Sequence, residues 1–247
     1  MHLISKISFF KKNFLSIILA LVPFSFIAGN MIININIIIL ILSTILIQNK
    51  RLFNIKFHLL DKLLIIFFFL VIFTSLLNDI LVLNKLSWSP SFSTTIKSVL
   101  FLKYLLFYLT VRYLIENKLI KIKYFFITSS VASIFVCLDI FYQFIYGVDI
   151  FGYKIAPGFR KLSGPFGDEL IAGGFIQRFS IFSFFVLPIF FIKNSQKYIK
   201  YLIPLLFFIF FTGIILSGNR MPLILFLLSI SLILVFQKQA RKYFLSF

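Results

Sequence analysis

Cysteine is nearly absent from this chain: its 247 residues include one, Cys137, inside an apolar stretch. An intramolecular disulfide is therefore excluded, and the residue says nothing about redox compartment. Histidine is almost as scarce, with only His2 and His58. Acidic residues number 7 against 25 Lys and Arg, so chemistry that needs clustered carboxylates has few candidates. Charge of either sign makes up only 13% of the chain, well below the roughly 25% of soluble domains, which excludes an ordinary soluble globular protein. No Walker loop, HExxH helix, CxxC pair or nucleophile elbow occurs, and these absences remove the soluble-type phosphate, zinc and hydrolase readings. Nor is there an internal repeat, the usual sign of a transporter built from inverted halves.

What is present is apolar surface, at 61% of the residues. The 37 Phe carry no functional weight, because Phe, Ile, Lys and Asn all have AT-rich codons. The net charge of +18 falls in short tracts between apolar runs rather than on one soluble face, so nucleic acid is not expected as a partner. Each apolar run approaches the 17–25 residues needed to cross a bilayer. Eight are readable: 14–29, 31–47, 63–78, 99–115, 124–147, 171–192, 201–217 and 221–236. The expected fold is an all-α, polytopic integral membrane protein with about eight transmembrane helices. Residues 1–247 form one helical membrane domain in this reading. Its parts are five N-terminal spans (14–147), an outward loop (148–170), a second group of spans (171–236) and a basic tail (237–247).

Placing the N-terminus in the cytoplasm puts 17 basic residues inside and 7 outside, with Lys103 within a span. The positive-inside rule then predicts that both termini are cytoplasmic. The loop 148–170 and the turn Gly218–Arg220 emerge outward. Basic residues there run against the topological bias, so they are better candidates for function than the cytoplasmic lysines. Trp88, in the other outward loop, reads as an interfacial anchor.

The outward loop and the run after it read GFRKLSGPFGDELIAGGFIQRF, holding Arg160, Lys161, Asp168, Glu169 and Arg178. Arg178 lies about seven residues into the sixth run. It must face a protein cavity or snorkel outward, and both readings are open. The glycines between 167 and 174 suit close backbone approach to a bulky ligand, or simply a flexible re-entry loop. Asp168 and Glu169 are adjacent carboxylates placed to complement a helix N-terminus; their functional reading is hydroxyl positioning or general-base work. In LSGNRMPLILF, Leu216–Phe226, Ser217 or Asn219 can cap a helix, Pro222 fits its first turn, and Arg220 stands at its start. An arginine at the positive end of a helix dipole suggests an anionic ligand bound by both, or an anchor to lipid phosphates. Lys103 and Asp139 sit at matching depths in the fourth and fifth runs and are expected to pair.

SGNRMPLILFLLSI (217–230) together with LSGPFGDELIAGGFIQRF (162–179) resembles the O-antigen ligase and O-antigen polymerase superfamily. The resemblance implies a protein of the bacterial inner membrane. It implies transfer of a glycan from an undecaprenyl-pyrophosphate carrier to a lipid A-core or growing glycan acceptor at the periplasmic face, with neither metal nor cofactor. Arg220 would bind pyrophosphate, supported by Arg178, Arg160 and Lys161, with membrane lipids around the polyprenyl tail. Such proteins continue into a second large periplasmic loop with a histidine implied to activate the acceptor, whereas this sequence ends at Phe247 after the eighth run. The expectation is that this polypeptide needs that loop, or a partner, for transfer. A second reading is a membrane carrier or binding subunit for an anionic solute or lipid, with Lys103, Asp139 and Arg178 lining the path.

Overall fold

The computed structural model describes residues 12–48, 56–85, 92–154, 161–185 and 196–236, the side chains of 82–85 and 196–200 apart. Among them there is no strand, and the one β-type pairing is an isolated bridge between Val148 and Lys154. The helices are α1 (Lys12–Ile27), α2 (Asn30–Gln48), α3 (Leu59–Lys85), α4 (Ser93–Glu116), α5 (Ile122–Tyr146), α6 (Ala172–Phe179), α7 (Gln196–Leu216) and α8 (Arg220–Phe236). Four of them, α2, α3, α4 and α5, are long and apolar enough to cross a membrane. In so apolar a chain the helix satisfies every backbone polar group within its own segment, which explains the predominance of helix.

Helix breaks follow local chemistry. α1 is interrupted at Leu21, where Pro23 in the next turn has no N–H to give and Ser25 Oγ donates to the Leu21 carbonyl at 2.9 Å. Gly29, at φ +111°, turns the chain into α2. The first part of the expected run 171–192 is helical. α6 ends at Phe179, Ser180 forms a turn, helix resumes over 181–185, and the rest of the run lies outside the described residues. α6 is amphipathic: Ala172, Gly173, Phe175, Ile176 and Phe179 are buried while Arg178 is exposed, a pattern for a helix docked on a protein surface.

The chain forms two compact units, with α1 and α2 each contributing to both. The first comprises residues 12–18 and Asn34–Lys121. Its centre is an antiparallel hairpin of α3 and α4, with the Phe68 and Phe101 rings stacked at 5.3 Å midway along. Polar clasps close both ends. At one, Asp61 is fully buried and ion-paired to Arg112, accepts from Tyr108 Oη at 3.0 Å, and accepts from the His58 N–H at 2.5 Å. Arg112 also contacts Glu116 at 3.1 Å and donates to the Lys56 carbonyl. At the other end, Asp79 accepts from Thr94 Oγ1, from the Thr95 N–H at 2.9 Å and from Thr95 Oγ1 at 2.8 Å.

The second unit comprises Leu19–Ile33 and the chain after Lys121. α5, α6, α7 and α8 pack around Val136, Cys137, Ile140, Ile176, Phe210, Ile214 and Phe226. Small residues set the spacing. A Cβ on Gly213 would meet Cys137 Sγ at 2.8 Å, and one on Gly173 would collide with Ser217 Oγ, so α6 seats against the turn before α8 only because position 173 has no side chain. The buried serines of α5 return their hydroxyls to the preceding helical turn, as Ser129 Oγ does to Phe125 O at 2.7 Å.

Candidate functional site

The loop after α5 is held by two polar side chains of that helix. Asp139, fully buried, accepts the Ile150 N–H at 2.8 Å. Gln143, also fully buried, accepts the Gly164 N–H at 2.9 Å and donates to Ser163 Oγ at 3.4 Å. A third anchor lies within the loop, where Asp149 Oδ1 accepts the Tyr153 N–H at 2.7 Å. These bonds set the 3-10 turn Gly164–Phe166, in which Gly164 takes φ +55°. The Gln143 contact satisfies the Gly164 N–H, which would otherwise be buried unpaired at a cost of about 1–3 kcal/mol. Asp139 is thus a loop anchor. Lys103, expected to pair with it, has its ammonium 5.1 Å from the centre of the Tyr104 ring.

Asp168 and Glu169 follow the 3-10 turn. They do not sit in a helical first turn: α6 begins at Ala172 and its first turn holds no acid. Instead the chain makes a tight descent, with the Glu169 N–H bonded to Phe166 O at 3.1 Å and the Ile171 N–H to Glu169 O at 2.9 Å. Both carboxylates are exposed and line a cavity of about 440 Å³ with Asn30, Tyr153 and Phe166; Asn30 Nδ2 donates to Glu169 Oε1 at 3.2 Å.

Arg178 lines a second cavity of about 300 Å³ with Asn219, Pro222, Gly174 and the rings of Phe26, Phe175 and Phe179. It occupies the last turn of α6, where a positive charge complements the helix dipole, and among the described residues it has no ion pair. Phe26 and Ile171 line both cavities, so the two share a wall. Edge-on contacts of Phe26 with Phe179 at 5.6 Å and with Phe175 at 6.5 Å stiffen that wall.

The Ser217–Arg220 turn joins the site through Asn219, whose Nδ2 donates to Leu170 O at 3.0 Å. Ser217 Oγ bonds back to Ile214 O at 2.6 Å, so both side chains expected as helix caps serve other contacts. Arg220 begins α8 as expected, but it is exposed and lines neither cavity. Lys161 is exposed and lines neither as well. Arg160 and Trp88 lie outside the described residues. Sequence reasoning missed Asn30, Tyr153, Gln143 and Asn219's contact with Leu170; uncharged side chains with distant partners leave no local pattern to read.

Chemically, the paired cavities offer an arginine and an amide on one side, two carboxylates and a second amide on the other, and aromatic walls between. Among the described residues no cluster of three or more His, Cys, Asp and Glu could hold a metal ion. No protein-family model matches the chain, and no curated protein or solved structure matches it.

Proposed function

We propose that this chain is a bacterial inner-membrane protein of the O-antigen ligase type, with about eight spans and both termini cytoplasmic. It engages an undecaprenyl-pyrophosphate-linked glycan at the periplasmic face for transfer to a lipid or glycan acceptor. The observation that carries this reading is Arg178: a guanidinium with no acidic partner among the described residues, set in an apolar, aromatic-walled cavity beside the Asn219 amide. That combination suits an amphiphile whose anionic head takes charge-assisted hydrogen bonds from arginine while its chain lies along apolar surface. Further support comes from the two segments on which the resemblance rests, residues 162–179 and 217–230. They are packed together through Asn219–Leu170 and through Gly173 against Ser217. In this proposal Arg178 takes the pyrophosphate and Arg220 a neighbouring lipid phosphate. Asp168 and Glu169 face the hydroxyl-bearing part of the substrate.

The test is complementation of a strain whose glycan attachment depends on this protein. Arg178→Ala should reduce attachment at least tenfold while leaving membrane insertion intact, with Arg220→Ala milder. Unchanged lipopolysaccharide banding with Arg178→Ala sinks the assignment.

A further inference from the structure

Asp139 and Asp149 are almost completely buried, at 0% and 2% exposure, yet each carboxylate uses only one of its two oxygens. Asp139 Oδ1 accepts the Ile150 N–H at 2.8 Å, and Asp149 Oδ1 accepts the Tyr153 N–H at 2.7 Å. Oδ2 of each is buried without a hydrogen-bond partner among the described residues. Neither acid has an ion pair there, and Lys154 and Lys161, the described lysines of the loop, are exposed. The buried Asp61, by contrast, has Arg112. Asp139 and Asp149 are neighbours: the Ile150 nitrogen that donates to Asp139 is bonded directly to the Asp149 carbonyl carbon, and the two like charges are close enough to repel. Beside Asp139 Oδ2 the chain also leaves room. A Cβ on Gly164 would stand 3.8 Å from that oxygen, with Ile140 Cγ1 and Ala172 Cβ as its other neighbours, so the absent side chain leaves a gap bordered by the orphan oxygen and apolar groups.

We infer that the orphan oxygens of Asp139 and Asp149 hold a hard divalent cation, calcium, which locks the start of the loop onto α5. Buried charges are paired or bind metal, and two neighbouring carboxylates supply the negative charge that a divalent ion neutralises. The donors are oxygens, which selects a hard ion over zinc or copper. Calcium takes about six to eight oxygens in irregular geometry and accepts backbone carbonyls and water, so two carboxylates suffice as its charged ligands while loop carbonyls and water complete the shell. Magnesium demands a near-octahedral shell and retains several waters, which an apolar-walled gap does not suit. The site is independent of Arg178 and of the glycan reading.

The full-length protein, purified in a neutral detergent and stripped with a chelator, is titrated with calcium and, at matched ionic strength, with magnesium. Bound metal is measured by elemental analysis after dialysis, and thermal unfolding is followed in parallel. Calcium should bind stoichiometrically and raise the unfolding temperature saturably, with magnesium doing far less. Asp139→Asn and Asp149→Asn each keep an amide oxygen for the Ile150 or Tyr153 N–H, so the loop anchors survive while the charge is lost. Each should weaken calcium binding about tenfold or more, because affinity follows the charge of the ligand set. Without calcium, each should unfold no earlier than the parent, since the repulsion between the two carboxylates is relieved. Asp168→Asn/Glu169→Gln, which neutralises two exposed acids further along, should leave calcium binding intact. Calcium binding that survives both Asp139→Asn and Asp149→Asn, equal effects of the two ions, or no bound ion overturns the site.

Discussion

The side-chain amide of Asn219 donates to the carbonyl of Leu170 at 3.0 Å, joining two segments that lie 49 residues apart in the chain. This bond ties the turn before α8 to the descent into α6, and both partners line the Arg178 cavity. Asn219→Ala should therefore lower stability by about 1 kcal/mol. Asn219→Asp should cost more, because it sets a carboxylate oxygen against a carbonyl that needs a donor. Thermal unfolding of the purified protein measures both; an Asp variant as stable as the parent would remove the bond from the account.

Asp61 and Arg112 form the most buried charge pair described, with side-chain exposures of 0% and 12%. Asp61→Asn leaves the guanidinium with only the half-exposed Glu116 as ionic partner and should destabilise by about 3 kcal/mol, the low end of the range for breaking a buried pair. Replacing both partners with apolar residues, as in Asp61→Leu with Arg112→Met, should recover most of that loss. A double variant as unstable as the sum of the single ones would mean that the two side chains act independently.

Topology is open to chemical labelling because Cys137 is fully buried and is the only cysteine. In a Cys137→Ser background, Lys161→Cys should react with a membrane-impermeant maleimide applied to spheroplasts. Lys118→Cys should react only after lysis. Both residues are exposed, so access to the reagent depends on the side of the membrane and not on packing. The reverse pattern would invert the proposed orientation and remove the outward loop from the periplasm.

The helices were largely legible in the sequence. The expected run 31–47 became Asn30–Gln48, 124–147 became Ile122–Tyr146, and 221–236 became Arg220–Phe236. In the run 171–192, hydropathy sums over a window and does not show that Phe175, Ile176 and Phe179 are buried while Arg178 is exposed. The role of Asp139 was not legible either, because equal depth in the membrane is a one-dimensional property. A buried carboxylate accepts from whichever donor is nearest, and for Asp139 that is a backbone N–H of the loop just beyond its own helix.

The sequence by itself determined an all-helical chain, where most of its helices start and stop, and the apolar character of four helices able to cross a membrane. These follow from short-range causes: backbone polar groups must bond within their own segment, and proline and glycine act where they stand. Only the tertiary structure decided which polar residues meet. It put Arg178, and not Arg220, on a cavity wall and made Asp139 and Gln143 anchors for the loop. It also placed Asp168 and Glu169 across a phenylalanine and isoleucine wall from the arginine. Side-chain partnership depends on which helices pack together and how closely. In this protein that closeness is set by side chains absent at Gly173 and Gly213, whose partners lie dozens of residues away.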